Sequence, residues 1–161
     1  MTAIDELLAN NNEYAKSFPG EAGHIPSMKT VVVTCMDSRL NPYEILGLSN
    51  GEVHVLRNAG GVVTSDTIRT LSISQRTLGT RSIMLMQHSD CGLSKVDDAK
   101  FMQELREQTG ETPSWTSEAF TDVEESVRHG MELIRQSPFV DSSDLRGFIY
   151  DVKTGALSEV L

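Results

Sequence analysis

The segment TVVVTCMDSR, residues 30–39, joins the pattern of a buried strand to the polar residues of a candidate site. Its first part, Thr30–Cys35, is a short β-branched run, which is typical of a strand buried in a parallel sheet. Asp37 and Arg39 follow where this strand ends. In open α/β sheets, ligands bind beyond the carboxyl ends of the strands. The segment therefore predicts a core strand whose end contributes to a site.

Apolar runs and amphipathic stretches alternate on both sides of this segment. Further strands are predicted at 53–57, 82–86 and 147–152, followed by a turn at 153–155 and a last short strand. Helices are predicted at 2–16, 41–46, 64–78, 98–109 and 122–136. This alternation predicts an α/β fold, a single domain with a mainly parallel central β-sheet flanked by helices.

The length and composition of the chain fit one ordinary domain. The chain has 161 residues, of which 39% are hydrophobic and 23% charged. We predict one domain over 1–161, with an N-terminal helix and arm at 1–28 and an α/β core at 29–161. The net charge of −9 disfavours nucleic acid as a partner, because phosphates require a basic surface.

The sequence also predicts a cytoplasmic location without membrane association. No apolar run approaches the length of about 18–20 residues that a membrane-spanning helix needs. Residues 1–10 lack the basic flank and apolar stretch of a secretory signal. In such a chain the two cysteines are expected to stay reduced and available to a metal ion.

Three predicted strand ends deliver chemically useful residues to one edge of the sheet. Cys35 ends the first strand, Asn58 and Gly60 follow the second, and His88 and Cys91 follow the third. Because parallel strands share one carboxyl edge, we expect these residues to lie close together.

Cys35, His88 and Cys91 have the composition of a zinc site. Zinc prefers thiolate and imidazole ligands, and three of them leave one tetrahedral position open, as in catalytic sites. Because two thiolates cancel the charge of Zn²⁺, neighbouring groups must help to favour hydroxide over water. Asp37 is placed to accept a hydrogen bond from zinc-bound water, and Arg39 to keep Asp37 ionised.

Other interpretations of these residues stay open on pattern alone. The two cysteines could be small core hydrophobes, and Asp37 and Arg39 could be an ion pair that ends the strand. A redox pair is disfavoured because the chain has no C-x-x-C motif. A cysteine nucleophile served by His88 lacks a clear third member.

Three ordered motifs resemble those of the β-class carbonic anhydrase family. They are CMDSR at 35–39, RNAGG at 57–61 and HSDCG at 88–92, and LRGFIYDVKTG at 145–155 is similar to the family's final strand and turn. The resemblance spans nearly the whole chain and is closest to the short microbial branch. It implies a homodimer or homotetramer in which the N-terminal helix packs on a partner subunit.

The resemblance also implies the chemistry of the site. Cys35, His88 and Cys91 would hold one Zn²⁺ per chain, and Asp37 and Arg39 would form the catalytic dyad. The implied reaction is hydration of carbon dioxide to bicarbonate by attack of zinc-bound hydroxide. In part of the family the aspartate can also swing onto zinc and close the site, so activity is expected to fall reversibly at lower pH.

The choice of substrate has alternatives. The short microbial branch also resembles enzymes that hydrolyse carbonyl sulfide or carbon disulfide and release hydrogen sulfide. Pro26, His54 and Ile73 stand where plant members carry glutamine, phenylalanine and tyrosine, so the pocket is not of the plant type. A third hypothesis is a zinc-stabilised module without catalysis.

A linear, nearly apolar substrate requires an apolar pocket. Val62 and Val63 are candidate walls of this pocket. The backbone of 58–61, with Asn58, Ala59 and Gly60 at its start, is a candidate donor to a substrate oxygen. For each of these residues, ordinary core packing or a tight turn is the alternative interpretation.

Overall fold

The structure, a computed structural model, describes residues 2–161. In chain order the elements are α1 (Ala3–Lys16), β1 (Thr30–Cys35), α2 (Pro42–Leu46), β2 (Val53–Asn58), α3 (Ser65–Arg76), β3 (Ser82–His88), α4 (Asp98–Thr109), α5 (Val123–Gln136), β4 (Asp144–Tyr150) and β5 (Leu157–Val160). Short 3-10 turns at Ala59–Gly61 and Gly92–Lys95 follow β2 and β3.

The five strands form one sheet in the order β2-β1-β3-β4-β5. β1 pairs in parallel with β2 and β3, and β3 pairs in parallel with β4, whereas β5 runs antiparallel to β4. The predicted fold class is therefore confirmed. Because β1 has a strand on each side, Val31, Val32 and Val33 are each at most 1% exposed, which explains the continuous apolar run.

Alternate residues of β1 face two separate apolar clusters. Val31 and Val33 belong to the larger cluster, to which α3 and α5 contribute Leu71 and Ile134. Complete burial of a side chain such as Leu71 stabilises the fold by about 2 kcal/mol. Val32 faces the opposite side of the sheet and packs with residues of α2.

The side of the sheet that carries Val32, called the Val32 face below, is incompletely covered. Val55, Met84, Phe148 and Tyr150 pack against its apolar cluster but remain partly exposed. Partly exposed apolar side chains in a row across neighbouring strands leave surface that another element could cover.

β4 is displaced from its predicted position. The strand runs from Asp144 to Tyr150, whereas the pattern predicted 147–152. Asp144 and Arg146 are exposed and charged, so the apolar pattern does not reveal that their backbone pairs with β3.

Two other boundaries differ by a few residues. β3 continues past its predicted end to His88, because its last residues still pair with β4. α3 ends at Arg76 with Thr77 as its C-cap, so the helix stops before the predicted glycine at position 79.

Helix α1 has no buried residue. A capping box between Thr2 and Asp5 defines its start. Its apolar side chains Ile4, Leu7 and Leu8 are 68%, 66% and 59% exposed. Within residues 2–161, no helix is both long enough and apolar enough to cross a membrane.

Candidate metal centre

Two cysteines and one histidine from separate elements meet at the carboxyl edge of the sheet. The ligand atoms of Cys35, His88 and Cys91 lie within 4.8 Å of one another, and all three residues are buried. The two sulfur atoms are 4.0 Å apart. Cys35 ends β1, His88 ends β3, and Cys91 follows the turn after β3. The structure thus brings together the three side chains that the sequence singled out as metal ligands.

Backbone N–H groups are directed at both sulfurs. The Cys35 sulfur accepts hydrogen bonds from the N–H groups of Asp37 and Gly60. The Cys91 sulfur accepts from N–H groups of the 92–95 turn. Such donors favour the thiolate form. The turns after the strands therefore stabilise negative sulfur at this edge.

The two thiols lie close enough to form a hydrogen bond with each other. The hydrogen bond with Cys91 lowers the pKa of Cys35 to about 4. The same bond raises the pKa of Cys91, because its proton is held between two sulfur atoms. A divalent cation would take the place of that proton and bind both residues as thiolates.

The imidazole of His88 is oriented for ligation. Its Nδ1 lies 2.9 Å from the carbonyl oxygen of Ser89, which favours the tautomer with the proton on Nδ1. Nε2 is buried and has no hydrogen-bond partner among the described residues. Burial opposes protonation of the ring, but the Cys35 sulfur outweighs this effect and the pKa of His88 is raised. An unpaired buried polar atom costs about 1–3 kcal/mol, which a bound cation would offset.

The donor set fits one metal ion that prefers sulfur and nitrogen. Thiolate and imidazole suit zinc, whereas Mg²⁺ and Ca²⁺ require oxygen ligands. Over residues 2–161, Cys35, His88 and Cys91 form the one group of three or more acidic, histidine or cysteine side chains placed to hold a metal. Three donors leave a tetrahedral ion one further position.

Asp37 and Arg39 form a two-point ion pair beside these donors. Arg39 donates from Nε to Oδ1 at 3.0 Å and from Nη2 to Oδ2 at 2.8 Å. Together with a bond from the Arg39 backbone N–H, these contacts hold the pKa of Asp37 well below its usual range. Oδ2 of Asp37 lies 3.8 Å from Nε2 of His88. An ionised carboxylate therefore adjoins the metal donors.

Comparison with known proteins assigns this arrangement to a family. Residues 30–157 match the family model described as carbonic anhydrase. β-Carbonic anhydrase 1 of Mycobacterium tuberculosis is 48% identical over 161 residues, which cover 99% of each chain. The chain belongs to the β-carbonic anhydrase family. The family resemblance drawn from three short motifs is confirmed, and with it the assignment to a class of lyases.

Two further relatives show the range of this family. A crystal structure of carbonic anhydrase from Streptococcus mutans is 38% identical, has a TM-score of 0.92 and covers 100% of this chain and 99% of its own. A carbon disulfide hydrolase from an Acidianus species is 29% identical over 181 residues, covering 96% of this chain and 87% of the relative. The relatives of this chain are thus named for two different activities, carbonic anhydrase and carbon disulfide hydrolase.

In this member of the family, Arg39 has a second acidic partner that sequence reasoning missed. Nη1 of Arg39 lies 2.9 Å from Oδ2 of Asp90, and Nη2 lies 2.9 Å from the Asp90 carbonyl oxygen. Lys95 donates to Oδ1 of Asp90 at 2.6 Å. Lys95 and Arg39 lower the pKa of Asp90 to about 2. Its place within HSDCG, between two metal donors, was the available signal.

Arg57, also missed as a site residue, supports the turn that follows β1. Its Nε donates to the carbonyl oxygen of Cys35 at 2.9 Å, and its Nη2 to that of Asp37 at 2.7 Å. One guanidinium on β2 therefore holds the backbone of a metal donor and of the dyad aspartate. Its place at the start of the RNAGG motif was the signal.

The loop that follows β2 is shaped by its own hydrogen bonds. Asn58 Nδ2 donates to the Val62 carbonyl oxygen at 2.8 Å, and Oδ1 accepts from the Val62 N–H at 3.0 Å. Val63 is 6% exposed and belongs to the larger apolar cluster. The Asn58 amide is thus committed to the turn.

A cavity of about 520 Å³ lies beside this loop, and its surface is mainly apolar. Ala59, Val62, Leu93, Phe101 and Trp115 are among the residues that line it. None of the three metal donors lines this cavity. Trp115 is 56% exposed, so it borders the cavity without closing it.

Proposed function

We propose that the protein hydrates carbon dioxide to bicarbonate with one Zn²⁺ held by Cys35, His88 and Cys91. One observation carries this proposal: three buried donors lie within 4.8 Å, and the Asp37 carboxylate adjoins them at 3.8 Å from His88. A fourth protein donor would instead favour a structural site. Membership of the β-carbonic anhydrase family supports the same activity.

Asp37 and Arg39 supply the orientation that the reaction needs. Bound zinc supplies the Lewis acidity that brings the pKa of water toward about 7. The Asp37 carboxylate accepts a hydrogen bond from the attacking water and directs a lone pair toward the substrate carbon. Asp37 and Asp90 raise the pKa of Arg39, so Arg39 holds Asp37 and does not act as an acid. The proton released leaves to solvent at this edge, where the Arg39 side chain is 45% exposed.

The substrate pocket is proposed to use the loop at 58–63. Ala59 and Val62 present apolar surface, which suits a nearly apolar linear molecule. The Gly60 N–H is directed at the Cys35 sulfur, so Ala59 remains the candidate backbone donor to a substrate oxygen. Asn58 shapes the loop through Val62, and Val63 supports it from the core.

A carbon dioxide hydration assay tests this function when zinc is measured on the same sample. We expect one zinc per chain, and hydration that zinc-binding anions inhibit. Asp37→Asn is expected to lower kcat/KM by about 100-fold while zinc content and thermal stability stay unchanged. A zinc-loaded wild type without hydration activity, together with loss of stability in Asp37→Asn, would instead favour the non-catalytic module. Protein without stoichiometric zinc would contradict the proposal.

Hydrolysis of carbonyl sulfide or carbon disulfide is the second candidate. The carbon disulfide hydrolase relative covers 96% of this chain, and this observation favours the candidate. Both substrates are linear and electrophilic at carbon, so the same donor set and dyad would serve. Side-by-side turnover of carbon dioxide, carbonyl sulfide and carbon disulfide decides between them. Sulfide release that far exceeds carbon dioxide hydration would select the hydrolase.

A closed state of the site is also proposed. Two side-chain bonds to Arg39 hold Asp37 in the structure, so Asp37 must break this pair to approach a bound metal. Crystals grown across a pH series test this step. A series that never shows contact between Asp37 and the metal would contradict it.

We propose that α1 packs on a second copy of the chain, giving a homodimer or homotetramer. The helix exposes Ile4, Leu7 and Leu8 and buries none of its residues. The Val32 face is incompletely covered and offers apolar surface to such a helix. An exposed apolar stripe of this kind marks an interaction site.

A cytoplasmic location is proposed from the chemistry of the two cysteines. They must remain thiolates to bind a metal, and their 4.0 Å separation would make oxidation easy in an oxidising compartment. Fractionation of the native cells with an antibody tests this location, and detection in a secreted fraction would contradict it.

A further inference from the structure

We infer that Asp90 is a positioning residue that holds Arg39 in the orientation from which it supports Asp37. The inference rests on the proposed function, because it assigns a role within the same dyad. Three features carry it: the contacts of Arg39, the fixed conformation of Asp90, and the position of Asp90 beside Cys91.

The Arg39 guanidinium is held from two sides. Nε and Nη2 bind the Asp37 carboxylate. Nη1 binds the Asp90 carboxylate, and Nη2 also reaches the Asp90 carbonyl oxygen. The Arg39 side chain is 45% exposed, so packing alone does not fix its rotamer. Without the Asp90 carboxylate, Nη1 would lose its acceptor, and the guanidinium would be held by Asp37 and by the Asp90 carbonyl oxygen alone.

Asp90 is itself held in one conformation. Its backbone has a φ of 52°, in the left-handed region that aspartate tolerates better than most residues. Lys95 occupies Oδ1 at 2.6 Å while Arg39 occupies Oδ2 at 2.9 Å, so the carboxylate cannot turn without losing a partner. Asp90 therefore presents Oδ2 to Arg39 while Lys95 holds Oδ1.

The position of Asp90 in the chain connects the two halves of the site. The residue immediately precedes the metal donor Cys91. Arg39 follows the metal donor Cys35 by four positions and reaches across to the turn after β3. The contact between Arg39 and Asp90 therefore ties the dyad to the turn that places a sulfur.

Loss of the Asp90 carboxylate is expected to change the position of the Arg39 guanidinium more than the stability of the fold. Exposed ion pairs contribute at most about 1 kcal/mol to folding. Misplacement of a catalytic group by about 1 Å, in contrast, can cost up to about 100-fold in rate. Loss of Asp90 should therefore loosen Arg39 and slow the reaction while the protein stays folded and loaded with zinc.

Two substitutions at position 90 separate charge from backbone effects. Asp90→Gly removes both carboxylate oxygens but keeps the carbonyl oxygen that Nη2 contacts, and glycine accepts a positive φ without strain. Asp90→Asn keeps the size and one oxygen but removes the charge. Glu159→Gln is the matched control, because Glu159 binds Arg146 through two bonds of 2.7 and 2.6 Å on the edge strand β5.

The test combines kinetics with a direct measurement on Arg39 in the zinc-loaded, full-length protein. NMR gives the rate at which the guanidinium protons of Arg39 exchange with water, with the signals assigned by their loss in Arg39→Lys. Asp90→Gly is expected to speed this exchange and to lower kcat/KM, each by about tenfold, with zinc content unchanged. Asp90→Asn should show smaller changes in the same direction, and Glu159→Gln neither change.

Several results would overturn the inference. One is an Asp90→Gly protein in which the Arg39 proton exchange rate and kcat/KM both stay within twofold of wild type. Another is slower catalysis in Asp90→Gly while the exchange rate at Arg39 is unchanged. Loss of zinc in both variants would assign Asp90 to the metal turn instead. A wild-type protein inactive on carbon dioxide would defeat the proposed function alone, because the exchange measurement still decides whether Asp90 holds Arg39.

Discussion

Gly61 packs directly against the backbone of Cys35. A Cβ on Gly61 would lie 2.9 Å from the Cys35 nitrogen and 2.9 Å from the carbonyl carbon of Thr34. Both atoms belong to β1, so neither can yield without moving the strand end that carries a metal donor. Gly61 also has a φ of 64°, which strains any other residue. Gly61→Ala is expected to cost about 3 kcal/mol of folding free energy and to weaken zinc binding.

Gly110→Ala provides the control for this substitution. Gly110 ends α4 with a φ of 74° and has nothing within 4 Å of its Cβ position. Its replacement should cost about 1 kcal/mol through backbone strain alone and leave zinc affinity unchanged. Urea unfolding and zinc titration measure both effects. If Gly61→Ala matches Gly110→Ala in free energy of unfolding and in zinc affinity, the close approach of Gly61 to the Cys35 backbone has no consequence.

Removal of the metal should make the two cysteines unequal in reactivity. The thiolate is the reactive form, and the pKa of Cys35 is lowered to about 4 while that of Cys91 is raised. In metal-free protein we therefore expect iodoacetamide to label Cys35 before Cys91 at neutral pH. The lowered pKa of Cys35 means that this thiol should already be largely ionised at neutral pH.

Peptide mass spectrometry of the labelled protein checks this order. Zinc-loaded protein should be protected at both positions, since a bound cation occupies both sulfurs. Equal labelling of the two cysteines, or labelling of Cys91 first, would contradict the unequal ionisation expected of the two thiols.

The sheet and the metal donors could largely be predicted from sequence because both depend on local patterns. A strand buried on both faces carries a continuous apolar run, as in Thr30–Cys35, and parallel strands end at one edge. The start of β4 could not be predicted in this way. Asp144 and Arg146 carry no apolar signal, and only pairing with β3 makes them part of a strand.

The residues that support the site depend on contacts between distant parts of the chain. Arg57 binds carbonyl groups 22 and 20 positions away, and Arg39 binds Asp90 at a separation of 51. A charged residue at a strand end or in a turn has many possible partners. Only the fold decides which carbonyl or carboxylate it meets, so the motifs marked these residues without revealing their roles.

Asp98 makes the loop before α5 sensitive to acid. Its Oδ1 accepts bonds from the N–H and the hydroxyl of Ser117 at 2.9 and 2.5 Å, which lower the pKa of Asp98 below its ordinary value of 3.8. A carboxylate whose pKa is lower in the folded state contributes stability above its unfolded pKa and loses that contribution as the pH falls. The advantage of wild type over Asp98→Asn should therefore shrink from about pH 6 to about pH 3.

Urea unfolding followed by the fluorescence of Trp115, the single tryptophan of the chain, measures this difference. Glu104→Gln on the same helix is the control, because its 3.9 Å pair with Lys100 is exposed and weak. A wild-type advantage that stays constant or grows in acid would show that Asp98 is not the acid-sensitive anchor.

Charge placed on the apolar stripe of α1 should dissociate the proposed assembly. Leu7 is 66% exposed in the single chain, so Leu7→Glu is expected to leave the fold of one subunit intact. Buried against a partner, the same carboxylate would be desolvated without a counter-ion, which costs several kcal/mol. Light scattering should then report the 17.7 kDa monomer for Leu7→Glu and a larger particle for wild type.

Ala9→Glu adds the same charge to the opposite side of α1 and separates the stripe from a general effect of charge. Helical geometry turns position 9 well away from positions 4, 7 and 8, so this variant should keep the mass of wild type. If Leu7→Glu also keeps that mass, or if wild type is already a monomer, α1 does not form the contact. If both variants become monomeric, net charge and not the apolar stripe controls the assembly.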